Sequence, residues 1–162
     1  GKNLVEAAVA EDLEASWVPS YGPEMRGGTA NCTVIISDER IGAPLVERPS
    51  EVVAMNRAAL AKFESRVAPG GTVFVNSSII PDKVSREDVT AVYVPCDEIA
   101  SELGNPKVAN MVMLGAYVAA TGALKQETIE TMIAEMFTGK KAKLVPLNLE
   151  ALKRGLECGK PA

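Results

Sequence analysis

Four short runs rich in β-branched residues, separated by helix-period segments and turn signals, restrict this chain to an α/β architecture. They are Asn31–Ser37, Glu51–Met55, Thr72–Asn76 and Val89–Val94. Side chains of this kind suit the pleated surface of a strand. Between the second and third runs, Asn56 can cap a helix whose apolar face is Ala59, Leu60, Phe63 and Val67, and Pro69-Gly70-Gly71 stops it. After the fourth, Asp97–Leu103 reads as a short helix closed by Gly104. Strand, helix, strand, helix in this rhythm predicts βαβ units around a mainly parallel sheet flanked by helices.

The flanks extend this pattern. Gly1–Ala10 reads as a helix with Leu4, Ala7 and Ala8 on one face. An α/β domain seldom starts mid-unit, so the expectation is that an N-terminal strand and loop are absent from this sequence. Ala15–Pro19 is a strand candidate that leads into a glycine-punctuated loop, Ser20–Thr29. Asn31–Ser37 is expected as a buried strand, and Ile41–Arg48, with Gly42 and Pro44, as a loop.

The C-terminal third reads as helical. Asn105-Pro106 supplies an N-cap and an N1 proline for a helix running from Val108 to Thr121. Its stretch Met111–Val118 is apolar on every side, so it should be buried all round, with a partner subunit or a second copy supplying part of the cover. Lys125–Phe137 is amphipathic, with Ile129, Met132, Ile133, Met136 and Phe137 facing inward. Leu149, Leu152 and Leu156 mark a last helix after Asn148. With no repeat, low-complexity tract or linker, residues 1–162 read as one domain.

Composition narrows the function. Hydrophobic residues make up 47% and charged residues 23% of the chain, as in ordinary globular domains. A net charge of −4 argues against nucleic acid or an anionic membrane as partner. No apolar run has the length of a spanning helix, and the chain reads as soluble and cytoplasmic. There is no histidine, which excludes Ser-His-Asp and Cys-His mechanisms within the chain and argues against a catalytic zinc site. Cys32, Cys96 and Cys158 stand far apart, unlike the clustered thiols of an iron–sulfur site, and read as buried small hydrophobes. Any redox centre is expected on a partner, and no metal or catalytic residue is assigned here.

The sharpest local feature is the loop that holds Tyr21, Gly22, Glu24, Met25, Arg26, Gly27 and Gly28. Its glycines permit close approach of a ligand, and a guanidinium so placed suits bidentate capture of a carboxylate or phosphate. The plainer account is a surface turn whose charges are solvated. Asn76 and Ser77, followed by Ser78, sit at the carboxyl end of a predicted parallel strand, where open α/β sheets bind ligands. They are as readily explained as a chain reversal. Asn105 is accounted for as a cap, and Asn110, on an apolar helix, would need a hydrogen-bond partner if buried. Lys140, Lys141 and Lys143 read as a solvated patch at a helix end.

Read in order, residues 20–32 (SYGPEMRGGTANC) closely resemble the hallmark segment of 2-oxoacid:ferredoxin oxidoreductase gamma subunits. The resemblance continues through Asn56–Phe63, Pro69-Gly70-Gly71, Asn76-Ser77-Ser78, Glu102–Asn105 and Val108–Met111, and so covers most of the chain. Members of that family usually begin with a strand and a glycine-rich loop of GxGGQG type; here Gly1-Lys2 matches the end of that passage.

The resemblance implies a Rossmann-like gamma domain packed close to an active-site entrance built by other subunits. The alpha, beta and ferredoxin-like delta subunits are expected to hold thiamine diphosphate and the iron–sulfur clusters, with CoA as acyl acceptor and ferredoxin as electron acceptor. No cofactor is expected on this chain alone, and the isolated chain could form a homodimer. Two other readings stay open: a stand-alone dinucleotide-binding oxidoreductase domain, whose glycine fingerprint is not visible, and a purely structural subunit. The Tyr-Gly-Pro-Glu-Met-Arg-Gly-Gly version is most similar to 2-oxoglutarate enzymes, then to those of branched-chain 2-oxoacids, then of pyruvate.

Overall fold

The computed structural model describes residues 1–20 and 30–160, and these form two compact units. The first comprises Gly1–Glu47 and Ala123–Met132. Helix α1 (Lys2–Ala10) buries Ala7 and Ala8. Asp12, with a φ of 59°, then turns the chain into strand β1 (Glu14–Ser20). Asn and Asp tolerate this left-handed conformation better than other non-glycine residues. β1 pairs antiparallel with β2 (Asn31–Ser37) in register from Glu14 opposite Ser37 to Ser20 opposite Asn31. The Glu11 carboxylate accepts hydrogen bonds from the Lys125 amide and the Thr128 hydroxyl, both at 2.8 Å, tying α1 to the later segment of this unit.

Two sequence expectations change here. β2 is only half-buried, because it has one partner strand and lies outside the parallel sheet. Cys32 is exposed, whereas Cys96 is buried and Cys158 half-buried.

The second unit comprises Arg48–Gly122 and Ile133–Ala162. Strands β3 (Glu51–Ala54), β4 (Thr72–Asn76) and β5 (Thr90–Val94) form a parallel sheet in that order. The register places Val53, Phe74 and Val92 side by side, and Val52 beside Val73. Val52, Ala54, Val73 and Val75 share a core cluster with Leu60, Val67 and Ile80. Between β3 and β4 runs α2 (Arg57–Phe63), whose N-cap Asn56 accepts a 2.8 Å hydrogen bond from the Ala59 amide. Gly70, at a φ of 82°, makes the turn into β4.

Helix α3 (Cys96–Glu102) follows β5 and ends at Gly104, also at φ 82°. A short 3-10 turn, Pro106–Val108, leads into α4 (Ala109–Thr121). The Phe74 ring lies 5.5 Å from that of Tyr117, so α4 covers the sheet face that carries Phe74. α5 (Gln126–Met136) and a 3-10 segment, Gly139–Leu144, precede α6 (Val145–Gly159).

Within the chain, α6 supplies cover for α4. A Cβ on Gly155 would collide with the backbone of Val112, one on Gly159 with that of Ala116, and one on Gly115 with that of Leu152. The two helices therefore meet at backbone distance. α6 begins before Asn148 rather than after it, with Pro146 in its first turn, and the buried Asn148 amide donates to the Leu144 carbonyl at 2.8 Å. Met136 is exposed because α5 ends there. Among the described residues, no helix is long and apolar enough to cross a membrane.

Candidate functional site

In a parallel sheet the carboxyl ends of all strands open on one edge, and here that edge gathers Asn56, Asn76, Ser77, Ser78 and the start of α3. Asn76, the last residue of the middle strand, is 1% exposed. Its Nδ2 donates to Asp97 Oδ2 at 2.7 Å, which sets the orientation of the amide. Its Oδ1 is buried and has no hydrogen-bond partner.

The turn after Asn76 is tightly held. The Asn76 carbonyl accepts from the amides of Ile80 at 3.0 Å and Ile79 at 3.3 Å, and the Ser77 amide donates to the Val94 carbonyl at 2.9 Å. Ser78 Oγ accepts from the amides of Asp97 and Glu98, both at 3.1 Å, and so satisfies two free donors at the start of α3. Ser77 and Ser78 are half-buried and Ile79 is exposed.

Electrostatically this edge is neutral to negative. The α3 amides are already taken by Ser78, and Asp97 contributes a carboxylate. Next to it, burial and then the charge of Asp97 push the Cys96 thiol up to about 12, so it stays protonated. Arg57, on the exposed side of α2, is paired with Asp82 at 2.7 Å. The edge therefore offers a hydrogen-bond acceptor rather than an anion-binding cradle.

The other candidates separate. Asn105 Oδ1 accepts from the Lys107 amide at 3.0 Å, so its capping role is filled. Asn110 is exposed in the first turn of α4 and needs no protein partner. Lys140, Lys141 and Lys143 are exposed on the 3-10 segment. Tyr21, Gly22, Glu24, Met25, Arg26, Gly27 and Gly28 lie outside the described residues. No group of three or more His, Cys, Asp or Glu among the described residues is placed to hold a metal ion.

Asp97 was missed by sequence reasoning as a partner of Asn76. The available signal was an asparagine ending one parallel strand and an acid opening the helix after the next, two positions that meet at one sheet edge.

Comparison with known proteins gives a consistent picture. The family model described as pyruvate ferredoxin/flavodoxin oxidoreductase matches residues 1–158. The ketoisovalerate oxidoreductase subunit VorA of Methanothermobacter thermautotrophicus is 42% identical over 159 residues, covering 97% of this chain and 32% of that protein. The chain thus spans about a third of the length of that relative. The 2-oxoglutarate synthase subunit KorC of Methanocaldococcus jannaschii is 38% identical over 157 residues, covering 95% of this chain and 82% of KorC. Among solved structures, a keto/oxoacid ferredoxin oxidoreductase gamma subunit from Geobacter sulfurreducens aligns with a TM-score of 0.83 and 28% identity. That alignment covers 98% of this chain and 88% of the other.

Proposed function

The chain belongs to the pyruvate ferredoxin/flavodoxin oxidoreductase family, and from that premise we propose that it is the gamma domain of a 2-oxoacid:ferredoxin oxidoreductase. The observation that carries this reading is the 38% identity to a 2-oxoglutarate synthase subunit, most of whose length the chain covers. The likeness to a solved gamma subunit supports it. One family model spans residues 1–158, which favours treating the whole chain as a single gamma domain despite its two compact units.

In this reading the complex oxidatively decarboxylates a 2-oxoacid to an acyl-CoA and reduces ferredoxin. Alpha, beta and ferredoxin-like delta subunits are its partners. Thiamine diphosphate, held by a partner, supplies the carbanion chemistry, and partner iron–sulfur clusters carry the electrons. A chain with no histidine and three separated cysteines offers no thiol cluster of its own. Its part is to complete and close the site. The loop bearing Tyr21, Glu24, Met25 and Arg26 is the first candidate to meet the anionic groups of substrate or CoA, and Asn76 and Ser77 are separate, secondary candidates. The substrate proposed first is 2-oxoglutarate, with branched-chain 2-oxoacids second, because relatives are named for both.

The test is co-expression with the subunits encoded beside it, followed by 2-oxoacid-dependent, CoA-dependent reduction of ferredoxin or a viologen dye. A panel of 2-oxoglutarate, 2-oxoisovalerate and pyruvate should rank in that order by kcat/KM. A complete complex that reduces the acceptor with none of the three would refute the proposal, and a different ranking would refute the substrate assignment alone.

A further inference from the structure

Resting on the reading just given, we infer that one face of the β1–β2 ribbon is the surface on which a partner subunit of the complex docks, through an apolar patch flanked by basic residues. The register of the two strands sets Ala15 opposite Ile36, Trp17 opposite Val34 and Pro19 opposite Cys32. Side chains alternate between the two faces of a strand, so these six apolar residues share one face. The other face is mostly polar, with Glu14, Ser16, Ser20 and Thr33 on it. The pattern marks the first face as the one to bury, yet none of its six residues is buried. Trp17 is 40% exposed and Cys32 is exposed as well, although Gly1 at the start of α1 lies against Cys32, Trp17 and Val34. A two-stranded ribbon has little stability by itself, and an uncovered apolar face on it calls for a partner.

Charge chooses between the possible occupants. Since Glu14 stands opposite Ser37, the residues Asp12, Glu14, Asp38 and Glu39 gather at one end of the ribbon, all four exposed. Arg40 is the basic residue that follows them in sequence, and among the described residues none of the four acids is ion-paired. The whole unit, Gly1–Glu47 with Ala123–Met132, holds ten acidic and four basic residues, against eleven and thirteen in the rest of the chain. A net charge of −6 is thus concentrated in the unit that bears the uncovered face. A second copy docked face to face would set one such unit against another. A partner with basic residues around an apolar patch gains both the burial and the charge contact, and the charges speed its encounter. Trp17, large and flat, is the kind of side chain that dominates such contacts.

Footprinting with isotope-labelled iodoacetamide, read by mass spectrometry for each cysteine peptide, tests this on the free chain and on the assembled complex. Cys32 should react readily in the free chain and about tenfold or more slowly in the complex, where the interface excludes the reagent as it excludes water. Trp17→Glu should weaken binding to the partner subunits about tenfold or more, the range of an interface anchor. If that variant is unfolded by circular dichroism, Cys32→Glu, at an exposed position, must weaken binding instead, or the inference fails. Asp38→Lys combined with Glu39→Lys should slow association and remove much of its salt dependence. A Cys32 left unprotected in the assembled complex would overturn the inference. So would a slow Cys32 in the free chain: quickening on dilution would name a second copy as the occupant, and no quickening would show the face already covered. A complex that forms and protects Cys32 but oxidises no 2-oxoacid would support this surface and refute the proposed function.

Discussion

Arg86 shows what a single side chain does in this molecule. Its guanidinium donates to both carboxylate oxygens of Asp88, from Nε at 2.8 Å and Nη2 at 2.6 Å. Its Nη1 reaches the carbonyls of Val67 at 2.6 Å and Glu64 at 3.1 Å. One residue thus fastens the segment before β5 to the end of the α2 region. The Arg86 hydrogen bond holds the Asp88 carboxyl below its ordinary value. A carboxyl with a lowered folded-state value stabilises the fold fully above its unfolded value, about pH 3.9. That contribution is lost as the pH falls from there through the lowered value. Asp88→Asn should therefore flatten the melting temperature against pH below about 4, where the parent declines. Parallel declines in parent and variant would show that the pair contributes nothing. Arg26 is the second residue to test, on the ligand side. Lysine keeps the charge and loses the planar fork. Arg26→Lys in the assembled complex should raise the KM for CoA or 2-oxoacid roughly ten- to hundredfold, the equivalent of about 1.5–3 kcal/mol for a charge-assisted contact. An assembled variant with both constants at parental values would return the loop to a packing role.

Among the elements, the α4–α6 pair is the most demanding. Gly115, Gly155 and Gly159 let the two backbones touch, and a methyl at Gly155 would overlap the Val112 carbonyl. Backbone cannot yield as a side-chain tip can, so the helices would have to part. Gly155→Ala should destabilise the fold by about 1–3 kcal/mol, measured by denaturant unfolding. Unchanged stability would mean that the helices are further apart than described. This pairing marks the limit of sequence reading. The apolar girdle of Met111–Val118 announced burial, but glycine in a helix looks like weakness when no partner is in view. Only the facing backbone explains it. Strands were legible for the opposite reason: β2 and β4 end where their β-branched runs end, since local pattern and local structure agree there. Burial of β2 was not legible, because a strand's run does not state how many neighbours it has. The Asn56 and Asn105 caps were readable from the residues that follow them. The Asn76–Asp97 pair spans 21 residues and required the sheet to bring it together.

On the scale of the whole molecule, the proposed division of labour has a direct consequence. The proposal places thiamine diphosphate on a partner, and a chain with no histidine and three dispersed cysteines has no clustered thiols for iron–sulfur ligation. Its buried thiol, Cys96, stays protonated to about 12, and burial also raises that of Cys158, so neither is a ready thiolate ligand at neutral pH. In the proposed function the loop around Arg26 and the residues Asn76 and Ser77 are ligand contacts only, and none of these side chains supplies an electron sink. The purified chain should therefore be colourless and should oxidise no 2-oxoacid, with or without added thiamine diphosphate and CoA. Adding the partner subunits should restore turnover, and omitting this chain from the mixture should reduce it. Visible charge-transfer absorbance in the isolated chain, or turnover by it alone, would contradict the assignment of chemistry to the partners. Full activity of the partners without it would contradict its role in completing the site.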